Sequence, residues 1–346
     1  MAQVEAEAPA TPTTVDKPAR TRSGTVAWTL WLLRRLGLAV LTLWLVSVLV
    51  FFATAALGDP VRAILGKDYA SSPSRVATLE AQLNLDQPLL QRYFDWLGGL
   101  LTGDLGTSLS NRLPVSELIG DRVVNTAVLV VVSALVMIPV AFGIAMISAH
   151  YRGRKPDHVI QVILLGLAGV PEFVIGILFV ALFSTTVFHI LPAVTISAGG
   201  EGPWHNPGSM VLPVLTLVFA VTPYVARIVR ATLLEVLDSD YVELARLKGV
   251  PERVVMRKHA LLNAIVPGIQ VVALQLAWLA GGIVIVEYLF SYPGIGASLV
   301  DSVRNNDIPM VQALSMIIAA IYVGVNLIAD ILSILFTPRA RTAITS

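Results

Sequence analysis

The residues with the most chemistry in this chain lie in a polar island, Asp238 to Lys258, set between two long apolar stretches. It reads DSDYVELARLKGVPERVVMRK. Asp240 is placed to cap a helix whose third residue is Glu243, the reciprocal arrangement that satisfies first-turn N–H groups. That helix runs through Tyr241, Leu244, Ala245, Arg246 and Lys248, then stops at Gly249, which tolerates the left-handed conformation. Pro251 suits the first turn of a second short helix, with Glu252 at its positive dipole end. Two short helices joined at a glycine make a compact knob, a shape suited to docking a partner. The residues alone also allow a solvated loop, the commoner fate of a charge run.

Three acids lie in or near apolar sequence, where an unpaired charge is expensive and therefore functional by default. Glu172 follows Pro171, and a proline kink frees a backbone carbonyl. It is a candidate to face a water-filled passage and meet a substrate's terminal ammonium, or to hold two helices together as a protonated or paired carboxyl. Glu287 and Asp330 sit near the ends of their apolar stretches, within capping or snorkelling reach of an interface. Catalytic signatures do not occur. There is no Gly-x-x-x-x-Gly-Lys-Ser/Thr cradle for ATP, no Gly-x-Ser-x-Gly turn, and no cysteine. The histidines at 150, 158, 189, 205 and 259 lack zinc spacing.

The elements that must position these residues are membrane spans. Charged residues make up 14% of the 346 and hydrophobic ones 55%, against roughly 25% charged in a soluble domain. Residues 1–27 are Ala-, Pro- and Thr-rich without periodicity, as in a disordered tail. Leu36–Leu57 carries no charge and is long enough to span. The Ala53-Thr-Ala55 cleavage-like signal follows an apolar run longer than that of a signal peptide, so a retained span is expected. A polar segment over 58–122 follows, with helix-like pieces at Pro73–Leu83 and Pro88–Leu101. Further spans are expected at Val123–Ala149, at Val159–Phe188 (broken at Pro171-Glu172), at Ser209–Ala226, at Ala260–Val286 and at Pro309–Ala329. The expectation is therefore an all-α membrane protein of six transmembrane helices. Six spans put both termini on one side, and that side holds 17 of the 24 Lys and Arg. The positive-inside rule then places the termini and the polar island in the cytoplasm.

Glu243-Leu-Ala-Arg246-x-Lys-Gly249, followed by His259, Asn263-Ala264 and Pro267, resembles the EAA loop of ABC importer permeases. The resemblance extends from Arg35 to Arg341. It includes Gly58-Asp59-Pro60, Leu85-Asp86-Gln87-Pro88, Trp96, Gly103-Asp104-Leu105-Gly106-x-Ser108, Arg227, Arg230, Asp240-Tyr241-Val242, Glu287, Pro293-Gly294-x-Gly296, Asp307-x-Pro309 and Asp330. The pattern is similar to the first permease subunit of the dipeptide/oligopeptide (peptide/nickel) family. What the resemblance implies is a type I importer permease fold, spanning residues 28–346, in the bacterial cytoplasmic (inner) membrane. It implies ATPase coupling through Asp240, Tyr241, Glu243, Ala245, Arg246 and Gly249 in a cytoplasmic loop over 227–260. It implies that the 58–122 loop, with Asp86, Trp96 and Asp104, faces an extracytoplasmic substrate-binding protein, and Glu172 and Glu287 become candidates for the translocation path. The implied partners are a second homologous permease, two ATPase subunits that bind ATP and Mg, and the lipid bilayer; no nucleic acid and no cofactor bound by this chain are expected.

Peptide is the expected substrate, with glutathione, nickel chelates and oligosaccharides as alternatives within the family. Leu57, Leu262 and Thr337 depart from the family pattern, and Leu262 alters the charge expected to face the ATPase. A secondary transporter or a membrane receptor is the reading from another class. The former would show matched broken helices in two inverted halves, and no such repeat is seen.

Overall fold

The computed structural model of the protein describes residues 24–56, 61, 65, 73–82, 85–195 and 202–336. The Gly58-Asp59-Pro60 turn, Leu57, Thr337, Pro338 and the basic tail with Arg339 and Arg341 lie outside the described residues, as do residues 1–23. Helices dominate: α1 (Gly24–Ala56), α2 (Pro73–Gln82), α3 (Leu89–Thr102), α4 (Val115–His150), α5 (Lys155–Ala168), α6 (Glu172–Val180), α7 (Pro207–Leu237), α8 (Asp240–Leu247), α9 (Leu262–Leu289), α10 (Ile295–Arg304) and α11 (Ile308–Phe336). Helix α1 begins inside the expected 1–27 tail.

Among the described residues, α1, α4, α7 and α11 are each long and apolar enough to cross a membrane. The expected third span is not one kinked rod. Helices α5 and α6 meet at 98°. Gly169 ends α5, Val170 precedes a proline and so avoids the helical region, and Pro171 (ψ 144°) opens α6 from an extended backbone. Counting that pair as one span gives five. The expected fifth span falls in α9, 28 residues long, many of whose side chains lie outside the description.

Helix α7 is the centre. Of its most apolar window, 72% is buried, against 17% for α1 and for α11. It packs against α4, α5, α6 and α9, while α11 joins α1, α9 and α10. Leu212, Leu217, Val225, Val229 and Leu233 of α7 have essentially no exposure. The outward apolar faces of α1 and α11 have no such cover among the described residues and suit hydrocarbon.

Two prolines inside α7, Pro213 and Pro223, do not stop it. Pro213 cannot donate to the Ser209 carbonyl four residues back. The Thr195 hydroxyl donates to that carbonyl instead, at 3.1 Å. Helix α1 is fastened to α11 twice, by Gln312 Nε2 donating to Thr54 Oγ1 at 2.8 Å and by an Arg35–Asp330 ion pair at 2.6 Å. Asp330 is thus a tie between helices.

Candidate functional site

The polar island folds as the knob that its sequence suggests, with differences at both ends. Helix α8 covers Asp240–Leu247, and Ser239, not Asp240, is the N-cap. No side-chain cap forms, because the Ser239 hydroxyl donates back to the Val236 carbonyl. Asp240 and Glu243 sit in the first turn, where the helix dipole favours acids. Gly249 has φ +77°. Its N–H reaches the Arg246 carbonyl at 2.9 Å, and the Val250 N–H reaches the Ala245 carbonyl at 3.2 Å. This pair of bonds is the Schellman stop. Beyond it, a second helical segment does begin at Glu252 behind Pro251, as expected, but it is not separate: Glu252–Val254 continues through a π-helical stretch, Val255–Leu261, directly into α9.

An eight-residue helix is not stable alone, so tertiary ties must hold it. Val242 and Ala245 are buried against the bundle. Arg246 Nε and Nη2 donate to the two oxygens of Glu252 at 3.1 and 2.8 Å, and Nη1 donates to the Leu237 carbonyl at 3.3 Å. One side chain therefore grips the last turn of α7 and the segment after Gly249. Arg152 holds Asp238 at 2.6 Å. Beneath the knob Arg230 forks onto Asp157 at 2.9 and 2.7 Å, and Ser148 and the Gly153 N–H complete that carboxylate. What the knob leaves outward is an apolar stripe at helical spacing: Tyr241, Leu244 and Leu247, the last 78% exposed.

Toward the middle of the bundle, the α5–α6 break opens a cleft. Its volume is about 620 Å³, and Glu172, Tyr224, Gln275 and Tyr322 line it with the carbonyl end of α5. A second cleft of about 540 Å³ shares Tyr224 and runs along α7 past Arg227, Arg230 and Glu235. Phe173 and Ile177 of α6 line a third cleft of about 780 Å³ with Arg122, Tyr288 and Asp301. Two of these clefts are lined by α7, and α7 ends at the knob.

Residues 139–342 match the family described as binding-protein-dependent transport system inner membrane component. Residues 29–130 match the N-terminal family of the same membrane components. The chain belongs to this family of ABC importer permeases. The glutathione transport system permease protein GsiC of Escherichia coli O6:H1 (strain CFT073) is 36% identical over 309 residues, 89% of this chain and 97% of that protein. The protein of the same name from Salmonella choleraesuis (strain SC-B67) is 36% identical over 312 residues, 90% of this chain and 98% of its own. As an inner-membrane component of an importer, the chain is a multi-pass permease.

The permease uses Glu287 differently from the expectation for a path residue. Its side chain has no exposure. Oε1 accepts from the Thr126 hydroxyl at 2.6 Å, and Oε2 accepts from the N–H groups of Gly296 and Ala297 at 2.7 and 3.2 Å. The carboxylate caps the N-terminus of α10, where unsatisfied N–H groups and the dipole favour an anion. Thr126 also accepts from the Ile295 N–H, Asn125 Nδ2 donates to the Pro293 carbonyl, and the Tyr292 hydroxyl donates to the Asn125 carbonyl. A Cβ at Gly294 would collide with this carboxylate, and one at Gly296 would lie 2.5 Å from the Val284 Cα. The Pro-Gly-x-Gly loop is glycine-rich because the acid occupies that space.

The proposed docking-loop residues separate in the permease structure. Asp86 and Asp104 are exposed, and Asp104 closes a local turn onto the Gly106 N–H at 2.9 Å. Trp96 turns inward, packing on Phe51 and Tyr93 with ring centroids 5.6 and 6.2 Å away. Two distant motif pieces meet here: Asp307 accepts from the Ser108 hydroxyl at 2.5 Å and from the Leu109 and Ser110 N–H groups at 3.1 and 3.3 Å. Sequence reading missed Asp157, Thr126 and Asn125 altogether. Little local marks them: the Asn125 and Thr126 side chains find partners 161 to 169 residues away, and Asp157 finds its guanidinium 73 residues away, at Arg230.

Proposed function

We propose that the chain, with a second homologous permease, forms the translocation path of an ATP-driven importer of short peptides, with glutathione foremost among them. Its six spans place both termini and the α8 knob in the cytoplasm. Two ATPase subunits, which bind ATP and Mg, receive the knob, and an extracytoplasmic binding protein docks on the loop around Asp86 and Asp104. The observation that carries this reading is mechanical. Helix α7 lines two of the clefts and ends where Arg246 grips its Leu237 carbonyl, so displacement of α8 is passed to the path by one buried helix. The outward stripe of Tyr241, Leu244 and Leu247, bordered by Asp240 and Glu243, is the surface an ATPase cleft covers. The glutathione assignment draws on the names of the relatives, and the wider peptide class on the motif resemblance.

The test is uptake of labelled glutathione and of a labelled short-peptide mixture in cells with and without the gene, with Glu243→Ala as the coupling control. Uptake that falls in both the deletion and the variant supports the reading. Unchanged uptake of every peptide in the deletion removes peptide and glutathione as substrates and turns the assay to nickel chelates and oligosaccharides.

A further inference from the structure

We propose that the furrow from Glu172 past Tyr224 to Arg227 is a charge-matched cradle for a zwitterion, with Glu172 receiving a peptide's ammonium and Arg227 its carboxylate. The inference rests on the peptide reading above and assigns that path its recognition chemistry.

Several acids and bases of this bundle are consumed in pairs. Asp157 holds Arg230, Asp238 holds Arg152, Glu252 holds Arg246 and Asp330 holds Arg35. Glu287 and Asp307 each accept three hydrogen bonds. Glu172 and Arg227 line adjacent clefts and have no ion pair or side-chain hydrogen bond among the described residues. A carboxylate and a guanidinium on clefts that share Tyr224 are opposite poles without an ion-pair partner among the described residues.

The surroundings sharpen each pole. Ala168, Gly169 and Val170 bring the carbonyl end of α5 to the Glu172 cleft, and a helix C-terminus favours a cation. At the other pole, Arg230 is already committed to Asp157, which leaves Arg227 as the guanidinium open to a ligand. A guanidinium takes a carboxylate through two parallel hydrogen bonds. Glu235, two turns further along α7, bounds that positive patch. Between the poles lie the Tyr224 phenol, which both clefts share, and the Gln275 amide, which offers a donor and an acceptor to a peptide bond. Arg227 is three residues beyond Tyr224, one helix turn and about 4.5 Å along α7. An extended peptide of two or three residues spans roughly 7–11 Å, more than the rise from Tyr224 to Arg227 alone. Glutathione, which carries both an ammonium and carboxylates, is in the same chemical class.

The experiment uses the complete importer in vesicles, with the same binding protein delivering two labelled probes: a dipeptide with free termini and its C-terminal amide. Because delivery is common to all samples, a change in the ratio of the two uptakes between wild type and variant belongs to this chain. Arg227→Gln is expected to lower uptake of the free dipeptide about tenfold while leaving uptake of the amide near its wild-type rate, which collapses the ratio. Glu172→Gln is expected to lower uptake of both probes by a similar factor, and Glu172→Asp to restore much of it. ATP hydrolysis stimulated by the loaded binding protein and thermal unfolding of each variant report assembly. Arg227→Gln alone decides the matter if a Glu172 variant does not assemble. Wild-type uptake with an unchanged probe ratio in Arg227→Gln overturns the cradle and leaves the peptide reading standing. Absence of dipeptide and glutathione uptake by the wild-type importer overturns both.

Discussion

The two ends of the bundle treat polar groups in opposite ways. At the end where α10 begins, Glu287 is enclosed, and its oxygens are taken by Thr126, Gly296 and Ala297. Nothing of it remains to meet a partner or a solute. At the knob end, two ion pairs are at the surface, Arg152 with Asp238 and Arg246 with Glu252, the latter 41% and 46% exposed, and the helix that Arg246 and Glu252 brace turns an apolar stripe outward. A buried carboxylate with both oxygens engaged is a structural knot, because removing any partner strands a polar group away from water. An exposed bracket holds geometry while leaving a face open. The same residue type therefore serves as scaffold at one end and as a coupling brace at the other, and burial decides which.

The sharpest way to break this comparison is at the knot. Glu287→Ala should strand the Gly296 and Ala297 N–H groups and one bond of Thr126, at a cost of about 3 kcal/mol or more. Thermal unfolding of the purified permease should show a large drop, with little folded protein recovered from membranes. A variant as stable as wild type would mean that the knot is not what holds α10.

The knob should respond in the reverse sense. Leu244→Asp with Leu247→Asp changes exposed side chains, so stability should move by no more than about 0.5 kcal/mol. Stimulated ATP hydrolysis and uptake should nevertheless fall by at least about tenfold, since apolar contacts in a covered interface carry most of its affinity. Normal uptake with normal stability would assign the stripe no role in docking. Gly249→Ala tests the stop itself. Its Cβ would meet nothing within 4 Å, so the penalty comes only from φ +77°, about 1–2 kcal/mol. Partial uncoupling, with ATP hydrolysis retained in excess of uptake, is expected.

The smallest effect belongs to the Arg246–Glu252 bracket. A double-mutant cycle of Arg246→Gln and Glu252→Gln should give about 0.2–1 kcal/mol at pH 7. The Arg246 hydrogen bond, ahead of an opposing effect of burial, holds the Glu252 carboxyl below the usual glutamate range. A depressed carboxyl contributes stability above its unfolded value and loses it as pH falls through the folded one. The coupling measured by the cycle should therefore shrink toward zero in acid and persist to neutral pH. Persistence in strong acid would show that the bracket does not depend on the Glu252 charge.

Much of the knob was legible because its signals are local. Gly249 as the helix stop follows from one residue's conformational freedom, and the first-turn acids follow from the dipole. The N-cap was misplaced by one residue because Ser239 and Asp240 are adjacent and both can cap; the Val236 carbonyl drew the Ser239 hydroxyl away. The break at Pro171 was legible, but its angle was not. Proline removes a hydrogen bond, and the packing of α6 on α7 and α9 sets the direction taken afterwards.

Sequence alone therefore determined what depends on composition and short range: a membrane chain, its long apolar segments, the helix ends at Gly249 and Pro171, and a motif that places it among importer permeases. Tertiary structure decided which charges are spent and which remain. Glu172 and Glu287 look alike along the chain, each an acid beside apolar residues. Thr126 and the start of α10 close around Glu287, whereas the α5–α6 break leaves Glu172 on a cleft. The reason is distance along the chain: a hydrogen bond between residues 161 apart leaves no mark on either neighbourhood, and only folding brings the two together.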